Sequence, residues 1–152
     1  MLKVLASWII AFRLKTLPAA ISPVLVGTAL AFNANYKIKV SILFSIILAS
    51  LLIQIGTNLS NDLSDFLKGT DTKDRLGPLR AAQAGLLTIN QLKVGIIISF
   101  GLSILFGFYL VSIGGYIIVL IGLLSILSGI LYTAGPFPLG YNGLGDVFVF
   151  IF

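Results

Sequence analysis

The sequence predicts an all-α protein, a polytopic bundle of membrane helices, and three observations carry that prediction. Of its 152 residues 58% are hydrophobic and only 10% are charged, where an ordinary soluble domain has about 25% charged. Charge-free gaps of 21, 22 and 52 residues run from Thr16 to Tyr36, from Val40 to Asn61 and from Val94 to Gly145. The ten Lys and Arg residues fall in the short segments around those gaps. A hydrocarbon core of about 30 Å takes about 20 helical residues to cross. The first two gaps therefore hold one span each, and the third holds two.

Taken in order, residues 1–15 are expected to form a short interfacial helix leading into the first span. A cleaved signal peptide is disfavoured, because Arg13 and Lys15 interrupt the apolar run and the longer apolar stretch follows them. Pro18 and Pro23 belong to the first turns of the first span, where a missing N–H is tolerated. The second span begins at Val40. Gly114-Gly115 marks the break between the third and fourth spans. Gly135-Pro136, Pro138, Gly140 and Gly143 mark a tight loop, and Val147–Phe152 opens another apolar run. The reading is four transmembrane helices plus the start of a fifth, in a single membrane domain over 1–152. There is no internal repeat, linker or low-complexity tract.

Orientation follows from the Lys/Arg bias of short loops. Lys3, Arg13 and Lys15 precede the first span, and Lys68, Lys73, Arg75, Arg80 and Lys93 lie between the second and third. Only Lys37 and Lys39 lie on the other side. That distribution places the N-terminus and the 62–93 loop in the cytoplasm, and no nucleic-acid partner is expected. With neither Cys nor His in the chain, thiol catalysis, iron–sulfur clusters, the usual zinc sites and His-based acid–base chemistry are excluded. A metal here would be a hard cation held by oxygen.

Chemistry concentrates at the end of the second span. Four of the five acids, Asp62, Asp65, Asp71 and Asp74, fall within 13 residues; Asn58 and Asn61 precede them and Lys68, Lys73, Arg75 and Arg80 are interleaved or follow. On a helix, Gln54, Asn58, Asn61, Asp62 and Asp65 share an arc of roughly 100°. Leu52, Ile53, Gly56 and Leu63 lie on the opposite arc. A helix end reaching water turns polar of its own accord, which accounts for Lys68 to Asp74. It does not account for Gln54, Asn58 and Asn61, which lie deeper, and intramembrane polar residues point to function. Asp62 and Asp65, at i and i+3, repel each other unless a cation stands beside them. Amide and carboxylate oxygens on one face suit Mg²⁺, which binds through one or two carboxylates plus substrate phosphates. The residues alone thus lead to a phosphorylated, lipidic substrate at the cytoplasmic face.

Three stretches resemble the UbiA superfamily of intramembrane aromatic prenyltransferases: Arg13–Ala31, Asn58–Arg80 with the Gln83-Ala84-Gly85 that follows, and Tyr132–Asp146. The Asp-Arg-Leu-Gly-Pro-Leu-Arg run at 74–80 favours the branch that prenylates 1,4-dihydroxy-2-naphthoate in menaquinone synthesis. The resemblance implies a bundle of about nine helices in a bacterial-type cytoplasmic membrane, with a central cavity. It implies Mg²⁺ as cofactor, a polyprenyl diphosphate as donor, and loss of CO₂ and diphosphate to give demethylmenaquinol. Asn61 and Asp65 would be the catalytic metal ligands, with Asp62 beside them as ligand or support. The family pattern expects an Asp where Gly69 stands, and Asp71 would take its place. Lys68, Lys73, Arg75 and Arg80 would hold the diphosphate, Arg being suited to a bidentate grip. Arg13 and Lys15 would face the acceptor's carboxylate, and Asp146 would sit at a helix start.

The family has a second Asp-rich motif, which this sequence lacks, and the chain stops at Phe152 inside an apolar run. The resemblance therefore covers the N-terminal half of such an enzyme, and these residues are expected not to turn over alone. Rival readings are a prenyltransferase for 4-hydroxybenzoate or homogentisate, a cation channel or transporter subunit lined by the polar face, and a non-catalytic membrane subunit. The Lys/Arg cluster opposes the cation path, since it would repel cations at the mouth.

Overall fold

A computed structural model describes residues 2–69 and 79–151. Among these residues six helices follow one another: α1 (Leu2–Phe12), α2 (Leu17–Asn33), α3 (Val40–Lys68), α4 (Ile89–Gly114), α5 (Tyr116–Leu131) and α6 (Gly145–Ile151). Short 3-10 turns at Leu14–Thr16 and Leu139–Tyr141 lie between α1 and α2 and before α6. No strand occurs among the described residues.

Local signals explain where the helices stop. Gly69 ends α3 at φ +66, a left-handed conformation that spares glycine the Cβ clash. Gly115, at φ +74, separates α4 from α5. Thr88 and Gln91 form a reciprocal cap at the start of α4. The Thr88 side chain accepts from the Gln91 N–H at 3.2 Å, and Gln91 Oε1 accepts from the Thr88 N–H at 2.8 Å. Pro18 lies in the first turn of α2, but Pro23 lies in the second, inside the helix. It removes the backbone bond to the Ala19 carbonyl there.

Among the described residues three helical stretches are long and apolar enough to cross a membrane: Lys3–Asn33, which joins α1 to α2, Val40–Lys68 and Ile89–Gly114. The fourth expected span, α5, has 16 residues and so reaches about 24 Å. It is a shorter apolar helix than the length of a full crossing suggests.

α3 is the axis around which the others pack. α2 runs antiparallel to it, with Ser50 Oγ donating to the Ala20 carbonyl at 3.3 Å. α4 also runs antiparallel, held at the far end by Tyr109 Oη donating to Ser41 Oγ at 2.7 Å. α5 runs parallel, Gly129 lying directly against the Thr57 side chain. The buried core gathers at one end, where Ala11, Leu59, Ala81, Ala82, Leu87 and Leu92 meet beneath Trp8 and Phe12. Elsewhere α2, α4 and α5 turn large apolar side chains such as Leu30, Phe108 and Leu120 outward, as lipid-facing helices do.

Close approach between helices depends on small residues. A Cβ at Gly56 would stand 2.7 Å from the Phe100 ring, and one at Gly95 would stand 2.8 Å from Trp8. Gly107 on α4 has open space around it. Gly56→Leu is therefore expected to destabilise the bundle by about 1–3 kcal/mol through overpacking, with Gly107→Ala neutral or slightly stabilising. Unfolding midpoints in a detergent titration measure both, and equal midpoints for the two variants would contradict this packing.

Candidate functional site

The site is built on the last four turns of α3. Asn58, Asn61, Asp62 and Asp65 are all buried, and each reaches a different neighbour. Nearest the membrane interior, Asn58 Nδ2 donates to the Phe12 carbonyl at 3.0 Å and to Thr16 Oγ1 at 2.8 Å. Gln54 Nε2 reaches the same hydroxyl at 3.5 Å. These contacts tie α3 to the junction between α1 and α2, where Arg13 takes a left-handed backbone at φ +52. A non-glycine residue held there stores strain of about 1–3 kcal/mol.

One turn on, Asn61 Oδ1 accepts from Thr133 Oγ1 at 2.8 Å. Asp62, 1% exposed, accepts from the backbone N–H groups of Ala81 at 3.0 Å and Ala82 at 3.4 Å. Asp65, 3% exposed, is ion-paired with Arg80 and accepts a hydrogen bond from the Tyr141 hydroxyl. Lys68 Nζ donates to the carbonyls of Thr133 at 2.6 Å and Gly135 at 3.3 Å. It also stands 5.6 Å from the centre of the Tyr141 ring, within cation–π range. The end of α3 thus grips two segments that lie far apart in sequence, 80–82 and 133–141.

The sequence-predicted residues distribute as follows. Asn61, Asp62, Asp65, Lys68 and Arg80 converge on the end of α3. Asp71, Lys73 and Arg75 lie outside the described residues. Asp146 stands in the first turn of α6. Thr133 and Tyr141 were not singled out from sequence, although they fall in one of the three resembling stretches. Thr16 was likewise missed as the partner of Asn58 and Gln54; a lone hydroxyl at a helix start has no distinctive spacing.

Below this cluster lies a cavity of about 420 Å³ between α2, α3 and α5. Asn61, Gln54, Ser125, Ser128 and Tyr132 supply polar groups, and Pro23, Ile53 and Phe148 supply apolar wall. Asn61 belongs to both regions. Among the described residues no group of three or more acidic, Cys or His side chains gathers in one place. The donor chemistry of Asn61 and Asp65 nevertheless fits a hard cation: both offer only oxygen, they lie about one turn apart, and each oxygen already accepting a bond keeps lone-pair capacity.

Asn58 is buried between two acceptors, so Asn58→Leu leaves the Thr16 hydroxyl and Phe12 carbonyl without that donor. A loss of about 1–3 kcal/mol is expected, seen as a lower thermal unfolding midpoint in detergent. An unchanged midpoint would mean that the α1–α2 junction is held by other contacts.

A family model described as the UbiA prenyltransferase family matches residues 20–152. The chain is 41% identical over 152 residues to the 1,4-dihydroxy-2-naphthoate octaprenyltransferase of Escherichia coli (strain K12), covering 96% of this chain and 49% of that protein. It is 38% identical over 141 residues to the protein of the same name from Bacillus subtilis (strain 168), covering 90% and 43%. UbiA prenyltransferase domain-containing protein 1 of Danio rerio is 29% identical over 155 residues, covering 96% and 44%. The chain spans about half the length of the curated relatives it matches. No solved structure matches it.

Proposed function

The chain belongs to the UbiA prenyltransferase family, and from that premise we propose that it forms part of an enzyme of menaquinone synthesis. That enzyme transfers a polyprenyl group from an allylic diphosphate to 1,4-dihydroxy-2-naphthoate. The relatives bearing the naphthoate name are 33–41% identical to it, which favours this acceptor over 4-hydroxybenzoate or homogentisate. The observation that carries the reading is the position of Asn61, which lines the cavity and stands about one turn from the buried Asp65–Arg80 pair. An apolar chamber with a charged, oxygen-rich rim suits a lipid diphosphate: the prenyl chain lies among helices and the phosphates lie at the rim.

Mg²⁺ would be held by Asn61 and Asp65, with Asp71 completing the set and Asp62 as ligand or support, and it would draw charge from the departing diphosphate. Arg80 would hold a diphosphate oxygen while still balancing Asp65, a charge-assisted contact that strengthens as the leaving group gains charge. Lys73 and Arg75 would add to that grip. Lys68 uses its ammonium on the Thr133 and Gly135 carbonyls, and one donor remains for phosphate. The cavity wall would orient the acceptor and keep water away from the allylic carbon as its C–O bond breaks. The ring then captures that carbon and loses its carboxylate as CO₂. The N-terminus and the loop after α3 would face the cytoplasm of a bacterial-type inner membrane, as the Lys/Arg distribution supports.

Two measurements on the full-length protein test this reading. Asp65→Asn is expected to lower prenyl transfer to dihydroxynaphthoate on the order of 10²-fold or more, with membrane insertion intact. Activity near wild type would remove Asp65 from the ligand set. Chelation with EDTA is expected to abolish transfer and added Mg²⁺ to restore it; transfer that persists in EDTA would rule out a metal-dependent site.

A further inference from the structure

Asp62 is the most buried acid among the described residues, at 1% exposure, and burial of a carboxylate is costly unless its oxygens are paired. Both oxygens are paired, with the N–H groups of Ala81 and Ala82. Those residues directly follow Arg80, whose guanidinium is paired with Asp65. Two carboxylates three residues apart on one helix therefore hold a single segment twice, Asp62 by its backbone and Asp65 by its side chain. The segment is itself a closed turn: the Ala84 N–H donates to the Arg80 carbonyl at 3.0 Å and the Leu86 N–H donates to the Ala81 carbonyl at 2.9 Å. Its opening N–H groups have no earlier carbonyl in the turn to bond, and Asp62 receives two of them as a capping residue would. Ala81 is fully buried and Ala82 nearly so, so the turn has little room to settle elsewhere.

We propose that Asp62 is a positioning residue rather than a metal ligand: it anchors the start of the 80–86 turn and thereby holds Arg80 beside Asp65, at the rim where a diphosphate would bind. The anchoring stands on the geometry; its effect on substrate rests on the prenyltransferase reading. Among the described residues Arg13 and Arg80 are cations that act on Asp62 through space, so neutralising Asp62 alters both interactions, and an Arg80 background separates them.

The test uses the full-length protein in nanodiscs, with Asp62→Asn in wild-type and Arg80→Gln backgrounds. Without substrate or metal, hydrogen exchange at residues 81 and 82 is expected to quicken by about tenfold or more in Asp62→Asn, while α4 keeps its protection. Unchanged exchange at both amides overturns the anchoring. In turnover, KM for the polyprenyl diphosphate is expected to rise about tenfold, with KM for the aromatic acceptor and the Mg²⁺ midpoint unmoved. Asp62→Asn should then add little to Arg80→Gln, since the one acts through the other. A shifted Mg²⁺ midpoint that persists in the Arg80→Gln background makes Asp62 a ligand and overturns the proposal. If Asp62→Asn does not fold, Asp62→Glu supplies the same comparison, because it keeps two acceptors but displaces them by one methylene. The exchange arm needs no turnover, so an inactive wild-type protein would count against the enzyme reading and leave the anchoring to be decided by exchange.

Discussion

Two carboxylates sealed inside the end of a membrane-length helix set the terms for everything around them. Neither Asp62 nor Asp65 can keep its charge in that position without partners, and α3 supplies none of them. The partners come from outside the helix, as two backbone N–H groups, a guanidinium and a phenol. Satisfying them brings the 80–86 turn and the 133–141 loop onto the same helix end. The 80–86 turn and the 133–141 loop are thus positioned by the charge they meet.

That arrangement couples the site to the packing below it. The buried core includes Ala81, Ala82 and Leu87 from the turn together with Leu59 from α3 and Leu92 from α4. The segment carrying Arg80 is therefore part of the core and not an appendage to it. Asn61 and Thr133 join the rim to the segment just after α5, and Thr57 lies against Gly129 of α5 about one turn deeper. With α3 touching α1, α2, α4 and α5, a displacement of its polar end would be felt at every neighbouring helix.

Much of this was legible from residue order. The charge-free gaps anticipated the helices, Gly114-Gly115 marked the break between α4 and α5, and the shared arc of Gln54, Asn58, Asn61, Asp62 and Asp65 anticipated one polar face. Pro23 lies in the second turn of α2, deep enough to cost a backbone bond that the helix start does not, and α5 came out shorter than a crossing because apolarity does not measure length. The capping pair Thr88 and Gln91 was readable from its spacing but was masked by the stronger apolar signal after it. Thr133 and Tyr141 could not be tied to Asn61 and Asp65, since more than 70 residues separate each pair and no periodicity connects them.

The sequence by itself determined the class of fold, the lipid environment and the helix end where polar groups gather, because hydropathy and helical periodicity are local properties that each segment carries unaided. Only the tertiary structure decided what each polar group does there. It turned one face of five similar residues into a tie to the α1–α2 junction at Gln54 and Asn58, a link to the segment after α5 at Asn61, a backbone anchor at Asp62 and an ion pair at Asp65. The physical reason is that a buried polar atom is defined by its partner, and these partners are distant in the chain until the helices pack.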